Sequence, residues 1–305
     1  NYRATHLFSL PETWPTPRNR RFHQRLRLLD GVVYGIIERH RKAALTPSPL
    51  RQGSGQASAI KERGGIRDDL LSMLLQARDA ETGAGMDDKQ LRDEVMTVFL
   101  AGHETTANAL TWTWFLLSRH PEAENCLHDE LDRVLAGRTP TFADLRELPY
   151  SRMVLEEALR LYPPAWAVGR YALDEDEVGG IRVPRGSQLV MSAFVTHRHP
   201  HFWERPRDFD PERFTPERSE GRPRFAYFPF GGGPRQCIGS DFAMIEAQLA
   251  LAAIAQRYTL RLVPGQSVEP EPLVTLRPRN GMMMYLRARD RLHERRHISA
   301  PLGAP

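Results

Sequence analysis

Apolar residues recur at helical spacing through most of this chain. Over residues 21–42, Leu26, Leu29, Val33, Ile36 and Ile37 share one helix face behind a proline-rich lead-in at 15–20. The period is lost at 46–65, a stretch rich in Pro, Ser, Gly and Gln that predicts a flexible loop. Helical patterning returns at 69–78. After a turn at 80–85 it runs from Asp87 or Asp88 to about Arg119. Pro121 suits the first position of the next helix. Further helical segments are expected at 122–135, 142–145, 151–161 and 242–257.

Between 170 and 194 the period shortens and turn signals appear at Gly179-Gly180 and Arg185-Gly186, which predicts short strands. Residues 182–184 and 188–191 are expected to pair as a hairpin. Residues 199–233 carry many prolines and aromatics without periodicity and predict ordered coil. Strands are expected at 258–263, 273–276 and 282–286. The residues after 287 are polar and basic and predict a disordered tail. The fold class is therefore mainly α with a minor antiparallel β part.

A chain of 305 residues with 41% hydrophobic and 26% charged residues can bury a sizeable core. No apolar run approaches the ~18 residues that would span a bilayer. The formal charge of +4 comes from dispersed arginines, with no aromatic-interleaved basic cluster that would grip nucleic acid. A basic face would still suit an acidic electron-donor protein. Two cysteines, Cys126 and Cys237, exclude a disulfide framework and suit a reducing compartment. Cys126 lies in a helical pattern and is expected to be structural.

The segment Phe230-Gly231-Gly232-Gly233-Pro234-Arg235-Gln236-Cys237-Ile238-Gly239 sets Cys237 in a glycine-rich turn ahead of a helix. Backbone N–H groups and a helix N-terminus stabilise a thiolate, and glycines let a flat ligand approach the backbone. Phe230 can shield the sulfur from water. The pattern Phe-x-x-Gly-x-Arg-x-Cys-x-Gly resembles the haem-ligand loop of the cytochrome P-450 family. That resemblance implies that Cys237 is the axial ligand of a haem b iron, whose thiolate favours O–O bond cleavage. It also implies that Phe230, Gly231, Gly239 and Ala101 lie against the haem. Arg235 and Arg170 are implied to grip its propionates, for which a planar guanidinium is suited.

Ala101-Gly102-His103-Glu104-Thr105-Thr106 falls in the middle of the long helix, where Gly and two Thr are poor helix formers. The helix is expected to bend or open there, and an acid beside a hydroxyl can relay protons to dioxygen. The segment is similar to the family's central-helix motif. This implies Thr105 as the hydroxyl that bonds the activated oxygen and Glu104 as the proton supplier, with Thr106 secondary and His103 turned away. Glu157 and Arg160, at i and i+3, would alone be an ordinary solvated pair. Together with Arg213 in Pro211-Glu212-Arg213-Phe214 they resemble the family's buried charge triad, which serves folding and haem retention. A zinc reading of His197, His199 and His201 lacks a fourth ligand at recognisable spacing. The same stretch is similar to the family's His-Arg-Asp-Pro element, with His199 in place of Asp. Ala165, Ala167, Val168, Val274 and Thr275 fall where the family's substrate contacts lie, although core packing accounts for the same residues.

The resemblance runs from the helix near Arg21 to Leu286 and matches the C-terminal two thirds of a complete member, so that residues 1–287 form a partial haem-thiolate domain and 288–305 its tail. The implied activity is a monooxygenase that inserts one oxygen atom from O2 into an apolar organic substrate such as a fatty acid or terpenoid. Its electrons would come from NAD(P)H through a ferredoxin or flavoprotein reductase. Two other readings stand beside it: a haem-thiolate isomerase or lyase acting on a preformed peroxide, and a truncated non-catalytic fragment. A monomer in the cytoplasm, of bacterial type, is expected unless a missing N-terminal part carries an anchor.

Overall fold

A computed structural model describes Trp14, residues 16–45 and residues 69–289. The loop expected at 46–65 lies outside the described residues. The chain divides into two compact units, Asn1–Ala101 and Gly102–Pro305. In the first, helix α1 (Pro17–Leu45) begins four residues earlier than the periodicity suggests, because Pro17 fits a first helical turn. Helix α2 (Leu70–Gln76) is capped by Asp69, whose side chain accepts from the Ser72 N–H at 2.8 Å. Val33 and Ile37 pack with Leu91 and Met96. Helix α3 (Asp88–Arg119) is continuous, so the opening expected at 102–106 does not occur. A single Gly and two Thr cost less than the neighbouring hydrogen bonds supply.

The second unit is built on three helices around the C-terminal half of α3. Helix α4 (Pro121–Leu135) has Pro at its start, Glu122 and Glu124 in its first turn, and a buried row of Ala123, Leu127, Leu131 and Leu135. It stops where Ala136 adopts a left-handed φ of 47°. Helix α5 (Pro149–Leu161) contributes Val154, Leu155, Ala158 and Leu161, and helix α6 (Ser240–Ala255) contributes Met244, Ala247, Leu251 and Ala252. A polar joint pins these helices. Glu130 of α4 accepts from the N–H groups of Tyr150 (2.6 Å) and Ser151 (2.8 Å), two orphan donors of α5. Gln248 of α6 donates to the Leu148 carbonyl and the Ser151 hydroxyl. Cys126 lies on the exposed side of α4.

Among the described residues, every strand lies in a two-stranded antiparallel pair. Strand β1 (Val168–Tyr171) pairs with β4 (Gln188–Met191), and β2 (Asp176–Val178) pairs with β3 (Ile181–Val183). The expected pairing of 182–184 with 188–191 is therefore wrong. Gly179-Gly180, both at positive φ, closes the β2–β3 hairpin, and Pro184 has no N–H to give to a ladder. Strand β5 (Tyr258–Leu262) pairs with β8 (Met284–Ala288), as the apolar runs suggest. Strand β6 (Pro270–Pro272) pairs with β7 (Leu276–Pro278), so residues 273–275 are a hairpin tip and not a strand. The expected tail falls only partly within the described residues. Arg289 is anchored by Asp132 at 2.8 Å, and residues 290–305 lie outside the described part.

Residues 199–233 contain only short turns of helix, including a 3-10 turn at Pro211–Phe214. Buried charge holds this coil. Arg160 donates Nε to Glu157 Oε2 (2.6 Å) and Nη2 to Glu157 Oε1 (2.7 Å). Its remaining N–H groups reach the carbonyls of His197, Pro206 and Asp208 at 2.8–2.9 Å. Arg213 donates Nε to Glu157 Oε1 (3.3 Å) and its Nη groups to the carbonyls of Glu204 and Arg205. All three charged side chains are buried. Burial pushes the Glu157 carboxyl upward, and the bonds from Arg160 counter that shift.

Arg213→Ala should cost about 1–3 kcal/mol, because it removes one charge-assisted bond to Glu157, which keeps Arg160, and leaves two coil carbonyls without their donor. Urea unfolding would show this as a lower midpoint at an unchanged m-value. A second expectation concerns His128, whose buried Nε2 has no partner among the described residues. Burial, with Arg289 next, lowers its pKa to about 4. Below its ordinary 6.5 the unfolded chain takes up a proton that the folded ring refuses until about 4, so stability falls as pH falls through that window. His128→Leu should flatten this part of the stability curve by roughly 1.4 kcal/mol per pH unit, read from melts between pH 7 and 4. An unchanged slope would contradict it.

Candidate functional site: a cysteine loop and an acid-bearing helix

The coil ends in the cysteine loop, whose shape is fixed from both sides. Upstream, the buried His197 ring accepts the Phe228 N–H on Nε2 at 2.8 Å and lies against Tyr227 and Phe228, at ring distances of 5.1 and 5.2 Å. Burial first, then the nearby Arg160 and Arg198 charges, hold the His197 pKa at about 3. The ring is neutral and can accept; an imidazolium could only donate. Tyr227 and Trp203 donate to the carbonyls of Glu156 and Ala226.

Within the loop, the Gly231 N–H bonds the Phe228 carbonyl at 3.0 Å, and the Cys237 N–H bonds the Phe230 carbonyl at 2.9 Å. Phe230 packs against the main core. Gly231 and Gly233 sit at φ 71° and 69°, where a side chain would be strained. At Gly232 an added Cβ would lie 2.6 Å from the Phe225 ring. At Gly239 it would stand 4.0 Å from Cys237 Sγ. These glycines leave Cys237 exposed at the start of α6, whose N-cap residue Gly239 offers no capping side chain. Flanking it, Ile238 is 101% exposed and Phe242 is 70% exposed.

A second group of residues meets at the β6–β7 tip. Trp166 Nε1 donates to the Leu273 carbonyl (2.9 Å), and the Leu276 N–H donates to the Pro164 carbonyl (2.9 Å). These bonds bring Ala165 and Val168 into the neighbourhood of Val274 and Thr275. From α3, Trp112 Nε1 donates to the Leu276 carbonyl at 3.0 Å while stacking on Tyr162. Thr275 is buried, and its hydroxyl donates to Glu104 Oε1 at 2.6 Å. Of the pair expected to touch substrate, only Val274 faces outward. Thr106 is buried, and its hydroxyl has no partner among the described residues.

Other expected residues stand apart from these contacts. Arg170 is partly exposed on β1 and donates to the Gly169 carbonyl, and Arg235 is exposed within the cysteine loop. Ala101 lies on α3 three residues before Glu104. Asn108 and His197 were not picked out as site residues by the sequence. Asn108 had a signal, since it stands one turn after Glu104 on the same helix face.

The donor set suits a flat apolar group with a soft axial ligand. It combines an exposed thiol at an uncapped helix N-terminus, glycines with no Cβ to obstruct an approach, and large apolar side chains left uncovered beside the sulfur. Comparison with known proteins agrees. The family model described as Cytochrome P-450 matches residues 1–284. The chain is 45% identical over 262 residues to cyclooctatin synthase of Streptomyces melanosporofaciens, covering 86% of this chain and 53% of that protein. It is 38% identical over 275 residues to pentalenene oxygenase of Streptomyces avermitilis, covering 90% and 57%. The solved heme domain of cytochrome P450DA superposes with a TM-score of 0.78 at 32% identity, covering 92% of this chain and 58% of that one. The chain thus spans little more than half the length of these relatives. On these matches it belongs to the cytochrome P-450 family.

Proposed function

We propose that the protein is a haem-thiolate monooxygenase in which Cys237 would ligate the haem iron. The observation that carries this reading is the presentation of the Cys237 thiol: exposed, on a loop shaped by glycines, at the open N-terminus of α6. When bound, haem b supplies the reduction and cleavage of dioxygen, which no side chain can perform. The chain's own residues do the rest. The helix N-terminus and backbone N–H groups stabilise the thiolate. Ile238 and Phe242 would help exclude water from the sulfur once haem is bound. Arg170 and Arg235 are free enough to swing onto carboxylates of the group. Glu104 is the acid that would pass protons inward, and Thr105 would relay them through its hydroxyl.

The substrate in this reading is apolar. Ala165, Val168 and Val274 offer hydrocarbon surface at the β6–β7 tip, and related proteins are called a cyclooctat-9-en-7-ol 5-monooxygenase and a pentalenene oxygenase. Electrons come from NAD(P)H through a ferredoxin or flavoprotein reductase. No helix among the described residues is long and apolar enough to cross a membrane. The acid–hydroxyl pair at Glu104-Thr105 favours oxygen activation over isomerisation of a preformed peroxide, which needs no proton supply.

Reduced protein under carbon monoxide should absorb at the long-wavelength position that marks a thiolate ligand, and Cys237→Ala should abolish that band. A band that survives the substitution would remove Cys237 as ligand. Thr105→Ala should lower product formed per electron consumed by about tenfold or more, in line with the usual contribution of a positioned proton donor. This is measured as NAD(P)H oxidation against product. Unchanged coupling would remove the relay.

A further inference from the structure

The Thr275 hydroxyl sits between two side chains of α3. It accepts from Asn108 Nδ2 at 3.1 Å and is 2.6 Å from Glu104 Oε1. A hydroxyl has one proton, and with the Asn108 amide donating to its oxygen, that proton completes a bond only towards Glu104. Thr275 is itself held from three sides. Leu273 accepts from Trp166, the Leu276 N–H donates to Pro164, and the Leu276 carbonyl accepts from Trp112, at 2.9, 2.9 and 3.0 Å. The Leu273 N–H closes the tip onto the Thr275 carbonyl at 3.2 Å. Glu104 lies on an exposed stretch of helix, where a carboxylate side chain would otherwise sample several rotamers. Here it is tied to a rigid tip. The next residue along that tip, Val274, is 78% exposed.

We propose that Thr275 and Asn108 are positioning residues for Glu104. They hold its carboxylate against the β6–β7 tip and couple it to the surface that Val274 presents to a hydrophobic ligand. This rests on the reading of Glu104 as the proton-supplying acid. Displacement of the tip by a ligand pressing on Val274 moves the Thr275 hydroxyl, and with it the acid. The setting of the acid then depends on the shape of what is bound. A misplacement on the order of 1 Å is enough to impair a proton transfer by a large factor.

Thr275→Val removes the hydroxyl at nearly constant shape. In the haem-loaded protein, product per electron should fall several-fold, with Thr275→Ser restoring it. In a Glu104→Ala background the same Thr275→Val change should have no further effect, because there is no longer a carboxylate to position. A readout independent of turnover is the infrared carboxylate band of Glu104, identified as the band lost in Glu104→Ala. It should shift in both Thr275→Val and Asn108→Ala, with or without haem. A band that stays in place, or an equal loss of coupling in the Glu104→Ala background, overturns the proposal. If the band moves while Glu104→Ala leaves coupling intact, the positioning stands and the proton-supply reading of Glu104 fails.

Discussion

One carboxylate, Glu157, organises the part of the structure that leads to the cysteine loop. Two guanidiniums share it, and their remaining N–H groups go to backbone carbonyls in a coil that has no ladder of its own. Burying three charges is costly, and a buried ion pair is often no more stabilising than an apolar replacement of similar volume. That comparison leaves out the carbonyls. Those of His197, Arg205, Pro206 and Asp208 accept from Arg160 or Arg213, and an apolar core would leave them unsatisfied. Arginine suits this because its planar fork reaches a carboxylate on one edge and carbonyls on the other. The charge cluster does for this coil what hydrogen-bonded strands do for a sheet. Arg205 even adopts a left-handed φ of 41° beneath the carbonyl that Arg213 takes up.

Position is passed from that joint to the cysteine through few links. Arg160 fixes the His197 backbone, the His197 ring fixes the Phe228 N–H, and Phe228 fixes Gly231, three residues before Pro234 and six before Cys237. Each link is directional, so the chain transmits geometry and not only compactness. The neutral ring of His197 is essential to it, and burial among positive charges is what keeps that ring neutral. The histidine cluster that resembles a metal site in the sequence thus contributes one side chain to a backbone clamp.

What was legible in the sequence follows from the range of the forces involved. The row Ala123, Leu127, Leu131 and Leu135 repeats every four residues because one helix face meets the core, and so α4 could be read from local spacing. The pairing of strands could not. Residues 188–191 read correctly as a strand, but their partner is 168–171, and only the missing N–H of Pro184 and the Gly179-Gly180 turn argued against the nearer neighbour. Motif spacing marked Glu157, Arg160 and Arg213, and the structure brings these three together. The contact of Glu104 with Thr275 joins residues 171 apart, and no periodicity records it. Thr275 entered the reading as a substrate contact by resemblance, together with Val274; its burial and its bond to Glu104 point its hydroxyl inward instead.

The rigidity of the loop and the exposure of its apolar side chains have one explanation between them. An uncovered Ile, Phe or Val forgoes about 1.5–3 kcal/mol of burial. Ile238, Phe242 and Val274 all do so, like Leu173 and Ile181 elsewhere in the unit, outside a core built around Trp112, Leu127 and Leu251. A mobile loop could fold such side chains back onto the core. This one cannot, since Gly232 is pressed against Phe225 and the Cys237 N–H is held by Phe230. On the haem-thiolate reading, the ligand itself recovers that burial, and the loop is already set to receive it. The glycines then serve two ends at once: they hold the thiol at the helix terminus, and they keep the apolar surface beside it from collapsing.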